Sequence, residues 1–208
     1  MPGIICTVSN DLSYDQRMQR ICSALERNGY QVTLLGRVLP HSIPLTEQPF
    51  QQKRLKCRFN KGILFYAEFN FRLFAYLLQA QYEAVCSVDL DTLAAGALAT
   101  VLRRKKRLFD AHEYFTEVPE VTGRPLVKFC WSMIARICLS FYRHAYTVGP
   151  ALAAIFEKKY GLRFGVVRNV TNQPSLPNFS NFKFQISNFK SPQKILLYQG
   201  ALNEGRGI

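Results

Sequence analysis

The opening stretch Ile4–Leu35, IICTVSNDLSYDQRMQRICSALERNGYQVTLL, decides the fold class. Ile4–Ser9 is a short apolar run bounded by Asn10-Asp11, the pattern of a buried strand. Ser13 with Gln16 three residues later has the spacing of a capping box, and Met18, Ile21, Cys22 and Leu25 then recur at helical period. Gly29 supplies the stop, and Tyr30–Leu35 is strand-like again. A strand, a helix and a second strand in so short a span imply a crossover unit. Such units demand a parallel sheet with helices outside it.

The alternation continues along the chain. Strands are expected at Leu55–Phe59, Glu83–Val88, Lys106–Phe109, Ala145–Val148 and Phe164–Arg168. Helices are expected at Phe65–Ala80, Thr92–Arg103, Leu126–Tyr142 and Ala151–Tyr160, the last closed by Gly161. The fold class is therefore α/β, a doubly wound parallel sheet of Rossmann-like type, occupying residues 1–170. Over residues 171–193 the pattern gives way to Pro, Asn, Ser and Phe. Ser180-Asn181-Phe182-Lys183 recurs there as Ser187-Asn188-Phe189-Lys190, as in a low-complexity linker. Residues 194–208 hold a fresh strand, Lys194–Gln199, and a glycine-rich turn from Gly200 to Gly207. They read as the start of a second Rossmann-like domain that is truncated.

Composition narrows the function classes. A 48% apolar content fills a core, and the formal net charge of +13 is far from balanced. Its densest run is Arg103-Arg104-Lys105-Lys106-Arg107, placed equally well to complement a helix end. A surface this basic favours phosphate-bearing substrates, anionic lipid headgroups or nucleic acid. The six cysteines include no C-x-x-C pair, which disfavours zinc ribbons and dithiol redox motifs and suits a reducing cytosol. No signal-peptide pattern opens the chain, and no apolar run is long enough to span a bilayer. The expected location is cytoplasmic, with peripheral contact at the inner membrane face. There is no G-x-G-x-x-G after the first strand, no G-x-x-x-x-G-K-[ST] and no G-x-S-x-G. Nicotinamide dehydrogenases, P-loop NTPases and α/β-hydrolases are thus poorly supported.

Chemistry in open parallel sheets gathers at the carboxyl ends of the strands. Four expected strand ends carry polar groups: Asn10-Asp11, Asp89-Leu90-Asp91, Asp110-Ala111-His112-Glu113, and Gly149. In a parallel sheet they share one edge. Asp91 is equally placed to cap the helix after it, and Asp11 to hold a turn. His112 follows a strand directly and stands beside two carboxylates. A His so placed exchanges a proton near neutral pH or orients a sugar hydroxyl. Tyr114 and Phe115 either stack on a ligand or pack locally.

Taken together, Asn10-Asp11 with Asp15-Gln16-Arg17, Asp89-Leu90-Asp91-Thr92-Leu93, Asp110–Glu120 and Val167-Arg168-Asn169 resemble the N-terminal half of family 4 glycosyltransferases. These have two Rossmann-like domains (GT-B), and the likeness is to a bacterial branch. The resemblance implies transfer of a sugar from a nucleotide-sugar donor to a glycan or lipid-linked acceptor, with no metal or other cofactor. It places His112 as the catalytic residue near the transferred sugar. Asn10, Asp11, Asp89, Asp91, Asp110 and Glu113 would form the acceptor and sugar side, and Gly200 with Arg206 the donor diphosphate turn. The family often has another Arg soon after that strand, where this chain has Ala201-Leu202. Its donor-binding acidic motif would lie beyond Ile208, so the chain is expected to be an incomplete fragment.

A function of another class is a basic, non-catalytic module for anionic membrane or nucleic acid. The chain lacks the basic-aromatic strand pattern of RNA recognition and the spacing of a helix-turn-helix, so nucleic acid is the weaker partner.

Overall fold

The computed structural model describes residues 1–170. The expected linker at 171–193, the strand and turn at 194–208, and Gly200 and Arg206 with them lie outside the described residues.

Seven strands form one sheet in the order β3-β2-β1-β4-β5-β6-β7, and every neighbouring pair is parallel. They are β1 (Gly3–Thr7), β2 (Gln31–Arg37), β3 (Gln51–Leu55), β4 (Ala84–Val88), β5 (Lys106–Ala111), β6 (Ala145–Thr147) and β7 (Phe164–Val166). The helices are α1 (Gln16–Arg27), α2 (Gly62–Gln79), α3 (Leu90–Leu102), the single turn α4 (Pro119–Thr122), α5 (Pro125–Leu139) and α6 (Pro150–Tyr160). Met1–Asn169 forms one compact unit.

Strand alternation sorts the core to two sides. Cys6, Leu34, Cys86 and Val88 meet Met18 and Cys22 of α1. Ile5, Leu35 and Val85 meet Phe69, Leu73 and Leu77 of α2 and Ala95 and Ala99 of α3 on the opposite side. Phe109 and Ala111 of β5 meet Leu93, Trp131, Ala135 and Phe156 of α3, α5 and α6. This is the layering that right-handed crossovers impose when the strand order reverses at β1. Small residues let α3 lie close to the sheet. A Cβ on Gly96 would stand 2.0 Å from the Ser87 hydroxyl, which is itself bonded to the buried Tyr142 hydroxyl at 2.9 Å.

Three expectations need correction. The third strand is Gln51–Leu55, not Leu55–Phe59; it is a polar edge strand, QQKRL, and edge strands need no apolar run. Ser13 does not cap α1. It lies in a 3-10 turn, Leu12–Tyr14, and Asp15 is the cap, accepting from the Met18 amide at 2.9 Å. Strand β5 runs on to Ala111, so Asp110 lies within it instead of closing it.

Candidate active site

The carboxyl edge of the sheet gathers three of the expected groups, Asp89, Asp91 and Asp110, around His112. Asp110 is fully buried near the end of β5. It points to the α1 side of the sheet, where Arg17 in the first turn of α1 grips it. The guanidinium Nη1 donates to both carboxylate oxygens at 3.1 Å, and Nη2 to Oδ1 at 2.9 Å. Charge-assisted, two-pronged pairing of this kind fixes orientation as well as charge. Asp110 thereby becomes a rigid partner for His112, whose Nε2 lies 3.3 Å from Asp110 Oδ2.

Asp89 holds the other side of the imidazole. Its Oδ2 stands 3.6 Å from His112 Nδ1, and its Oδ1 accepts the His112 backbone amide at 2.8 Å. The Asp89 backbone sits at φ 56°, ψ 176°, a region that side-chain-bearing residues rarely enter. Its amide donates to the Asp110 carbonyl at 2.8 Å, which ties the ends of β4 and β5 together. Strain of this sort costs about 1–3 kcal/mol and gathers where geometry is functional. Here it aims the carboxylate at His112 instead of capping α3, for which it makes no side-chain bond.

Asp91 lies in the first turn of α3, accepts the Ser9 hydroxyl, and is buried; its carbonyl accepts from Asn70 Nδ2 at 2.7 Å. Burial pushes the Asp89 carboxyl up to about 7, with the positive His112 opposing and Asp91 and Asp110 reinforcing. Burial likewise lifts Asp91 to about 6 against the Ser9 hydrogen bond. Burial acts to lower His112, but the Asp110 hydrogen bond and the negative charges of Asp89 and Asp110 outweigh it, so its pKa is raised. Both shifts are upward, and the His112 and Asp89 side chains keep 19% and 22% exposure, open to a ligand.

Of the remaining candidates, Glu113 lines a cleft with Asp89, while Asn10 and Asp11 belong to neighbouring loop networks. Asp11 is buried in a loop network, accepting from Arg54, the Ser42 hydroxyl and the Ser13 amide. Burial would raise its pKa, but those bonds together lower it. Asn10 is exposed and donates to Asp15 Oδ2 at 3.0 Å, bracing the cap of α1. Glu113 is exposed beyond the end of β5. Tyr114 and Phe115 pack edge-on against Phe156 and Trp131. Gly149 caps α6 at the same sheet edge. Among the described residues no cluster of His, Cys, Asp and Glu is placed to hold a metal, and no helix is long and apolar enough to cross a membrane.

Sequence reasoning named Arg17 only within a motif and missed its role as the clamp on Asp110. One signal was available. A cation in the first turn of a helix opposes the helix dipole, so it calls for a nearby anion. Ser9 and Asn70, which hold Asp91, gave no comparable signal.

Solved glycosyltransferase structures share this fold. Sucrose-phosphate synthase from Thermosynechococcus elongatus superposes with a TM-score of 0.61 at 14% identity, over 83% of this chain and 49% of that one. The lipopolysaccharide outer core galactosyltransferase WaaB in its apo form gives 0.58 at 8% identity, over 84% and 47%. A UGT transferase from Siraitia grosvenorii, solved in complex with UDP, gives 0.54 at 6% identity, over 84% and 52%. The chain thus spans about half the length of each of these structures. At such identities the likeness is one of fold. No curated protein sequence matches the chain. The model of Glycosyltransferase Family 4 matches residues 16–172, most of the chain and all of the edge from Arg17 onward, and by that match the chain belongs to glycosyltransferase family 4.

Proposed function

We propose that this domain forms the acceptor-side wall of a sugar-transfer site, in which a nucleotide-sugar donates its sugar to a glycan or lipid-linked acceptor. One observation carries the reading. The His112 imidazole is held between two carboxylates, 3.3 Å from Asp110 and 3.6 Å from Asp89, at the carboxyl edge of a family 4 fold. In this reading His112 and Asp89 face the sugar hydroxyls. The imidazole donates to or accepts from a hydroxyl near the transferred carbon, and Asp89 takes up or returns the proton. Arg17 and Asp110 are positioning residues that act through His112. Asp91 holds the first turn of α3 in place beneath them. Asn10 and Asp11 shape the rim of the acceptor side, with Glu113 at its mouth.

The donor class is supported by the family and by the sugar-transferring enzymes whose fold the chain shares, one of them solved with UDP. A net charge of +13 supports an anionic or lipid-phosphate-linked acceptor at the cytoplasmic face of a membrane, reached by peripheral contact. The six free thiols fit that reducing side. The chain spans about half the length of those enzymes, and the transfer reaction is a proposal for the whole protein.

The test is transfer of labelled sugar from a panel of nucleotide-sugars to a lipid and glycan extract, with wild type and His112→Ala compared. Loss of a positioned proton-transfer group predicts a fall of about a hundredfold or more in rate. A variant as active as wild type, or an absence of transfer from every donor, would overturn the proposal.

A further inference from the structure

Helix α5 is apolar on two opposite sides. Trp131, Ala135 and Leu139, four residues apart, are buried against the sheet. Phe129, Met133 and Ile137, with the same spacing, project away from that side and are exposed, Phe129 at 63% and Ile137 at 55%. Leu126 extends the outer stripe toward the carboxyl edge of the sheet, exposed at 80%. A helix apolar all round normally lies inside a protein or against another apolar phase. The neighbouring α3 packs against α5 and repeats the pattern, with Leu98 and Leu102 exposed while Leu93 and Ala97 are buried.

The charge beside these stripes is mainly of one sign, with Glu117 the exception, paired to Lys128 of α5 at 2.7 Å. From Val121 to Phe156 there is no Asp or Glu, while Arg124, Arg136 and Arg143 are exposed. Helix α3 runs out into Arg103–Arg107, where Arg103 turns inward to the Leu77 and Ala80 carbonyls and Arg104 remains exposed. Long cationic side chains beside an apolar stripe lay their stems along it and present their charge at its border.

We infer that the outer face of α3 and α5 is the surface by which this protein docks onto an anionic lipid surface. The two helices lie in the interfacial plane, with Leu98, Leu102, Phe129, Met133 and Ile137 in the acyl boundary and the arginines among the headgroups. The charge selects this occupant over a second copy of the chain, because two such faces brought together would oppose arginine to arginine. Both helices begin at the carboxyl edge of the sheet, so docking sets His112 beside the membrane from which a lipid-linked acceptor would come. The assignment rests on the peripheral-membrane part of the function proposed above, and not on sugar transfer itself.

Vesicle flotation tests it, with phosphatidylcholine vesicles made with and without phosphatidylglycerol. The wild type is expected to bind the anionic vesicles about tenfold or more tightly than the neutral ones. The double variant Phe129→Glu/Ile137→Glu should lose that binding by about tenfold while unfolding at the wild-type temperature, since both positions are exposed. Arg104→Glu/Arg136→Glu should weaken binding to anionic vesicles and leave the residual binding to neutral vesicles unchanged. Binding retained by both folded variants overturns the surface assignment and leaves peripheral contact standing elsewhere. No binding by the wild type overturns peripheral contact itself. A wild-type dimer that dissociates in Phe129→Glu/Ile137→Glu would show that a second copy covers the face, and would equally overturn the assignment.

Discussion

At the residue scale the site depends on one guanidinium. Asp110 is fully buried, and Arg17 is the permanent cation that meets it, beside the His112 imidazole. Removing one partner of a buried ion pair leaves the other uncompensated, a cost of about 3–5 kcal/mol. Arg17→Ala should therefore lower the unfolding free energy by that order in a urea titration. Arg17→Lys should recover only part of it, because a single ammonium does not reproduce the two-pronged grip. Protonation gives a second prediction at this scale. His112, Asp89 and Asp91 all have raised pKa values, so the folded state binds more protons than the unfolded one. Their contribution to stability is whole below the unfolded values, about 3.9 for Asp and about 6.5 for His. It is lost as pH rises through about 6 for Asp91, about 7 for Asp89 and the raised value of His112. Between pH 5 and 8, denaturant midpoints should fall with increasing pH on this account, and Asp89→Asn should flatten the slope. A midpoint that rises over this range in wild type, with the Asp89→Asn curve parallel to it, would contradict the assigned environment.

At the element scale, legibility followed burial. The central strands β1, β2 and β4 carry apolar, largely buried runs bounded by turn residues, so their period stood out, and β5 was marked by its apolar Leu108-Phe109 ahead of Asp110. Their polar ends mark Asp89, Asp91, Asp110 and His112 as sharing one edge of a parallel sheet. The edge strand β3 was misplaced, because its Gln, Lys and Arg carry no apolar signature and only its pairing with Thr33–Arg37 makes it a strand. Arg17 and Asp110 are 93 residues apart, and no local pattern pairs them. The positive φ of Asp89 was equally hidden, since it arises from the β4–α3 junction and not from residue type. The Gly96 contact shows how closely α3 fits the sheet. Gly96→Ala would drive a methyl into the Ser87 hydroxyl and disturb its bond to Tyr142. Overpacking of this kind costs about 1–3 kcal/mol, so the variant should melt several degrees lower, although Ala is the better helix former.

At the scale of the whole molecule, a parallel sheet with a strand-order reversal at β1 concentrates titratable groups at one edge and leaves basic, apolar helices outside. The edge fits sugar transfer and the outer helices fit a lipid surface. Both fit the transfer to a membrane-borne acceptor proposed above for this family 4 chain. Transfer of labelled sugar by the protein, compared between wild type, His112→Ala and Arg17→Lys, tests the central claim most directly. The account predicts that His112→Ala loses about a hundredfold or more of the rate, with Arg17→Lys intermediate and its pH profile displaced, because Arg17 acts only through the orientation of Asp110 and His112. Transfer by His112→Ala at the wild-type rate would contradict it.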